Sequence, residues 1–418
     1  MKKIKMSNKP YILKNKDFKT ILVSVMFPFK ILENDLAFVN LLPNMLQYMN
    51  NKYSSEEAFL TIKKELYILS TRCGYQCIGE YGYFYFDMVI PDTLSLKDNL
   101  LDEQFKLFRE MIYNPLIKDN GFLDFELNKE INNLNISMDN ALKNFGSYQN
   151  IRVKEIMDDQ GILSRDLVRH RELLNSVNAK NLYDYYKVTI KNNQPVVFVM
   201  GNVFENEINN LCDKYLFNKS FNEKVFDAEL FYFLKPRKKV LEITESSKFK
   251  DSSISIIYKV KDMCEDDIIY INCVCDLLNS LSSRMLSKVL RDENNIVYSC
   301  GARNYSHYGA IEIIALINKE NKDLARGKII EVMNSFKDST KFEDNLNNLK
   351  ERKKLNLIRK PDNKWEVFHD YFNSSLDISW TAEEYYEKFV NIKSSDISKF
   401  VDRLVLDTVY FLKEEEHE

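Results

Sequence analysis

The order of elements in the first half of this chain recurs in the second, and that recurrence constrains the fold more than any other feature. Between Thr20 and Phe27, apolar Ile21, Val23, Val25 and Phe27 alternate with Thr20, Leu22, Ser24 and Met26, which predicts a half-buried strand. Ile254, Ile256, Tyr258 and Val260 repeat that alternation. A helical stripe at Leu36, Val39, Leu42, Leu46 and Met49 returns at Ile268, Ile271, Val274, Leu278 and Leu281 with a constant offset of 232 residues. Gly82 to Ile90 and its following helix return from Gly309 at an offset of 227, and the helix-then-strand block beginning at Val177 returns from Ile392 at 215. Three blocks in one order imply a tandem of two similar α+β domains of about 200 residues each. The expected division is a first α+β domain at 1–216, a linker at 217–250 around Lys235-Pro236-Arg237-Lys238-Lys239, and a second α+β domain at 251–418.

Within the first half, Ser54-Ser55-Glu56-Glu57 is a capping box for the second helix, Pro43 predicts a kink in the first, and Tyr75 to Ile90 reads as a strand pair. A long polar helical region runs from Phe122 to about Asp159, interrupted near Gly146. Lys and Arg total 59 against 62 Asp and Glu, a net charge of −3, so no general electrostatic attraction to nucleic acid or an anionic membrane is implied. Apolar runs such as Val196 to Met200 and Ile313 to Ile317 fall far short of the roughly 18 residues that span a bilayer. The first ten residues carry lysines with no apolar stretch behind them, so the expectation is a cytoplasmic protein. The seven cysteines match neither zinc-ribbon nor redox spacing and are expected as reduced thiols. G-x-S-x-G and G-x-x-x-x-G-K patterns are absent.

One stretch of the second half carries possible chemistry. From Leu277 to Leu290, apolar residues at 277, 278, 281, 285, 286, 289 and 290 form a helical stripe that stops at Arg291-Asp292-Glu293-Asn294-Asn295, and Tyr298 then opens a strand. Arg291 and Tyr298 thus flank one helix-to-strand turn, from which a guanidinium and a phenol can both aim donors at one peptide carbonyl or oxyanion. On the residues alone the structural reading is the stronger one: an Arg in a last helical turn complements the dipole, and a strand Tyr is ordinarily half-buried.

Those repeats, with Ser282-Ser283-Arg284-Met285, Leu290-Arg291-Asp292 and Tyr298 at the heart of the second, resemble the pitrilysin/insulysin family of metallopeptidases, over nearly the whole chain. The resemblance implies one half of a clamshell, in which two chains close around a peptide chamber and Arg291 and Tyr298 bind substrate. It also implies substrate strand addition at a first-domain edge near Gly74 to Gly79. The sequence departs from the family where glycines are common, at Asn279-Ser280, and at the zinc motif itself. The family's H-x-x-E-H belongs on the first helix, where this chain reads Val39-Asn40-Leu41-Leu42-Pro43. Its four histidines, His170, His307, His369 and His417, include no i, i+4 pair and none precedes residue 170.

The expectation is therefore a chain with no catalytic residues and no cofactor of its own. It would be the zinc-less subunit of a heterodimeric zinc peptidase whose partner, a homologous H-x-x-E-H subunit, holds the zinc. Peptide is the substrate; neither nucleic acid nor a membrane span is expected. The alternatives are a non-enzymatic peptide-binding or scaffold protein of the same fold, or a homodimer with another activity.

Overall fold

A computed structural model describes residues 2–78, 80–92, 99–159, 161–217, 224–228, 230–280, 285–376 and 378–415. The chain forms two compact units: Met1–Asn140 with Arg165–Leu230 and Lys364–Ser379, and Ala141–Ser164 with Phe231–Asn363 and Trp380–Glu418. Each unit thus takes one helical segment from the opposite half of the sequence.

In the first unit, β2 (Tyr11–Lys14), β3 (Thr20–Lys30), β4 (Ser70–Ile78), β5 (Tyr81–Pro91) and β8 (Val196–Gly201) form one sheet in the order β2-β8-β3-β5-β4. Two small ribbons accompany it: β1 (Lys2–Met6) with β9 (Lys224–Ala228), and β6 (Ile117–Lys118) with β7 (Gly121–Phe122). In the second unit, β10 (Leu241–Ser247), β11 (Ser252–Val260), β12 (Val297–Tyr305), β13 (Ala310–Ile317) and β14 (Leu404–Glu414) are ordered β10-β14-β11-β13-β12. The two sheets share one topology, including a parallel first pair, β2 with β8 and β10 with β14, and antiparallel pairs thereafter. The repeat read from apolar periodicity is therefore a repeat of structure.

Both central strands depart from the half-buried expectation. All residues of β3 from Ile21 to Phe29 are buried, as is the whole of β11. One face of β3, with Ile21, Val23, Val25 and Phe27, packs on the helix Leu36–Gln47 through Val39, Leu42 and Leu46. The opposite face is covered by the helix Lys364–Ser375, whose Phe368, Tyr371 and Phe372 surround Phe198 of β8. On that face Arg72, Asp87, Ser24 and Phe198 lie in register across four strands. Ser24 Oγ donates to Asp87 Oδ1 at 2.6 Å, Arg72 bonds Asp87 Oδ2 at 2.8 Å, and its guanidinium lies 3.9 Å from the Trp365 ring. A buried carboxylate is tolerated because it is paired and bonded.

The second unit repeats the device. Val153, Ile156 and Met157, from the helix Phe145–Met157, pack on Ile257 of β11. Gln149 Nε2 donates to Ser255 Oγ at 2.9 Å, Ser255 donates to Glu312 at 2.6 Å, and Arg303 pairs with Glu312 at 3.2 Å. The stretch 217–250, read as a linker, contains β9 and β10, and Arg237 from its basic run is turned inward onto Asp407 and the Ile156 carbonyl.

Candidate functional site

The helix Leu36–Gln47 occupies the place expected of a zinc helix. Val39, Leu41, Leu42 and Pro43 are buried in its apolar contact with the sheet and carry no coordinating atom. Asn40, the polar residue among them, uses both ends of its carboxamide: Nδ2 donates to the Leu36 carbonyl at 2.8 Å, and Oδ1 accepts the Tyr75 hydroxyl of edge strand β4 at 2.9 Å. The described histidines lie apart. His170 sits 3.7 Å from Glu33, His307 stacks on Phe231, and His369 lies between Trp365 and Phe368, where burial lowers its pKa. His417 lies outside the described residues. Among those residues no cluster of three or more His, Cys, Asp or Glu could hold a metal ion.

Arg291 and Tyr298 do flank one turn, but the helix before them is broken. The helix Ile268–Asn279 ends where Ser280 turns extended, with φ −63° and ψ 129°. Helical backbone resumes at Met285–Ser287 and widens into a π-type turn over Lys288–Glu293 that carries Arg291. Ser282-Ser283-Arg284 lies outside the described residues, as does Gly79 at the end of the proposed first-domain edge. The break follows from Asn279. Its Nδ2 donates to the Ala302 carbonyl at 2.8 Å, and its Oδ1 accepts the Ala302 N–H at 2.7 Å. Both backbone groups of Ala302 therefore point to the free side of β12, the edge strand, and Asn279 stands in for a neighbouring strand. Asn279→Ala is expected to cost about 1 kcal/mol and to raise hydrogen exchange at the Ala302 amide; unchanged protection there would contradict this role.

Beyond the turn, Val297 pairs with Ile317 and Ser299 with Leu316, so Tyr298 is an extra residue bulged out of β12. A bulge re-aims the side chain it carries, and Tyr298 is 62% exposed rather than half-buried in the sheet. Its hydroxyl bonds Asn318 Oδ1 at 2.7 Å, just past the end of β13. Arg291 is exposed as well, and its field reaches the same strand. Burial pushes the Cys300 thiol up to about 11, against a lowering pull from the Arg291 guanidinium. Two cationic or hydroxyl donors thus stand free of the core on either side of one turn. Of the polar groups that frame them, Asn279 and Asn318 carried no periodic signal in the sequence.

A family model described as the Peptidase M16 inactive domain matches residues 176–351, which include both Arg291 and Tyr298. A curated relative from Bacillus subtilis (strain 168), "Probable inactive metalloprotease YmfF", is 21% identical over 417 residues, spanning 96% of this chain and 95% of the relative. Both similarities are to the M16, or pitrilysin, peptidase family. Solved structures agree in fold. A conserved protein from Enterococcus faecalis V583 superposes with a TM-score of 0.86 at 19% identity, each chain covered in full. The periplasmic protease PqqL from Escherichia coli gives 0.73 at 12% identity, with this chain matching 48% of its length. Val39, Leu42 and Pro43 stand where the resemblance read from the sequence expects the zinc ligands and catalytic Glu, and among the described residues they lie in the apolar core.

Proposed function

We propose that this chain is the non-catalytic subunit of a two-chain zinc peptidase, binding peptide through Arg291 and Tyr298 while a homologous H-x-x-E-H subunit supplies zinc and the general base. The observation that carries the reading is an asymmetry. The position expected of the zinc helix is packed with buried Val39, Leu42 and Pro43, whereas Arg291, on the turn before β12, and Tyr298, bulged out of that edge strand, stay outside the core. Donors fixed on a rigid sheet can orient a peptide carbonyl near the partner's metal, and positioning of that kind lowers the barrier without any chemistry in this chain. The substrate is an unfolded peptide, with β4 as the edge for strand addition, since β12 is closed by Asn279 at Ala302. Seven free thiols fit a reducing, cytoplasmic setting.

A scaffold role is the second reading, and the engagement of the Tyr298 hydroxyl by Asn318 favours it. A tagged pull-down from the native host separates the two. The expected result is near-equal recovery of a similar-sized protein bearing H-x-x-E-H; recovery of this chain alone, or within a larger assembly lacking peptidase, would reject the peptidase reading.

A further inference from the structure

The residue that meets Tyr298 breaks a local rule. Asn318 stands at the N-cap of the helical segment that begins at Lys319, with extended φ −70° and ψ 146°, and Asn is among the best residues for that position because its side chain can bond the orphan N–H groups of the first turn. Here the side chain makes no capping bond. It is turned instead to the Tyr298 hydroxyl, 2.7 Å away. A phenol has one proton to donate, and a carboxamide oxygen accepting it leaves none for a peptide carbonyl. The side chain of Asn318 therefore has two competing uses, one at Tyr298 and one at the helix start.

We propose that Asn318 is a positioning residue that latches the Tyr298 hydroxyl in the unliganded chain and releases it to a peptide carbonyl on binding. The inference rests on the peptide-binding reading of Tyr298 given above. On release, the carboxamide either rotates so that Nδ2–H donates to the phenol oxygen, or swings to cap the first turn of the helix; either way it keeps a partner while the phenol proton turns outward. The bond is exposed, so the latch is weak, and it tunes affinity and holds the ring ready rather than blocking the site. The bulge at Tyr298 supports the same role, because it brings the ring to the end of β13, where Asn318 lies, instead of along β12.

The test is binding of fluorescein-labelled β-casein, an unstructured chain, to the whole protein, read by anisotropy. Asn318→Asp retains an N-cap residue but offers the phenol a charged, stronger acceptor that cannot rotate into a donor. It is expected to weaken binding roughly three- to tenfold, and to have no effect once Tyr298→Phe has removed the hydroxyl. An equal effect in both backgrounds, or none in the wild-type background, overturns the latch while leaving Tyr298 as a binding residue. If Tyr298→Phe leaves the measured binding unchanged, including the case in which no binding is seen, the peptide-binding reading itself fails and the latch falls with it.

Discussion

Asp407→Ala is expected to destabilise the second unit by about 3–5 kcal/mol, the largest effect of any single side chain described above. Asp407 is fully buried on β14, beside fully buried Thr408. It accepts the Arg237 backbone N–H at 2.7 Å and the Thr408 hydroxyl at 2.8 Å, and lies 3.2 Å from Lys259 Nζ and against the Arg237 guanidinium. Removal leaves Lys259, itself 2% exposed, as a buried cation whose remaining bond is to the Met157 carbonyl at 3.1 Å. Desolvation of an unpaired charge dominates that balance.

The pH dependence follows with a definite sign. Burial alone would raise the Asp407 carboxyl, but the Arg237 N–H, the Thr408 hydroxyl and the charges of Lys259 and Arg237 together hold it below its ordinary value. A folded-state pKa below the unfolded one gives stability that is full above about pH 4 and lost as pH falls through the folded value. Denaturant titration at neutral and acid pH checks both points. The variant should be far less stable at neutrality, and the difference from wild type should narrow in acid. Equal midpoints at neutrality would contradict the role assigned to the pair.

Arg291→Ala is expected to lower kcat/KM of the reconstituted two-chain peptidase on the order of a hundredfold, and Tyr298→Phe by roughly tenfold, with assembly intact. The direction follows from exposure: neither side chain contributes to the core, so neither substitution should disturb folding or docking. Arg291 brings a full charge and several donors, Tyr298 one neutral hydroxyl already shared with Asn318, and the smaller effect goes with the smaller group. Gel filtration of each reconstituted variant, run beside its turnover, separates lost catalysis from lost assembly.

What the sequence disclosed and what it hid divide along physical lines. The tandem repeat was legible because apolar period is imposed locally, by the face each strand or helix turns to its own core, and Val39, Leu42 and Leu46 or Ile271, Val274 and Leu278 meet that demand in both units. Burial of the second sheet face was not legible. Leu22, Ser24 and Met26 are covered by a helix more than 300 residues away in the chain, and no local pattern announces such a contact. Arg237 was hidden by its neighbours, since a basic run reads as solvated until one member finds a buried carboxylate. At the site, Arg291 and Tyr298 were placed by spacing on either side of their turn. The helix break at Ser280, and the parts played by Asn279 and Asn318, depend on single hydrogen bonds to edge-strand groups, which leave no periodic trace.

Zinc content and peptide turnover, measured on this chain, on its co-purifying partner and on the two together, test the central claim most directly. The account predicts zinc in the partner and in the pair, none retained by this chain after dialysis, and cleavage of unfolded peptide by the pair alone, lost on chelation and restored by zinc. Chelator-sensitive cleavage by this chain in isolation, or turnover by the partner that this chain does not raise, would contradict it.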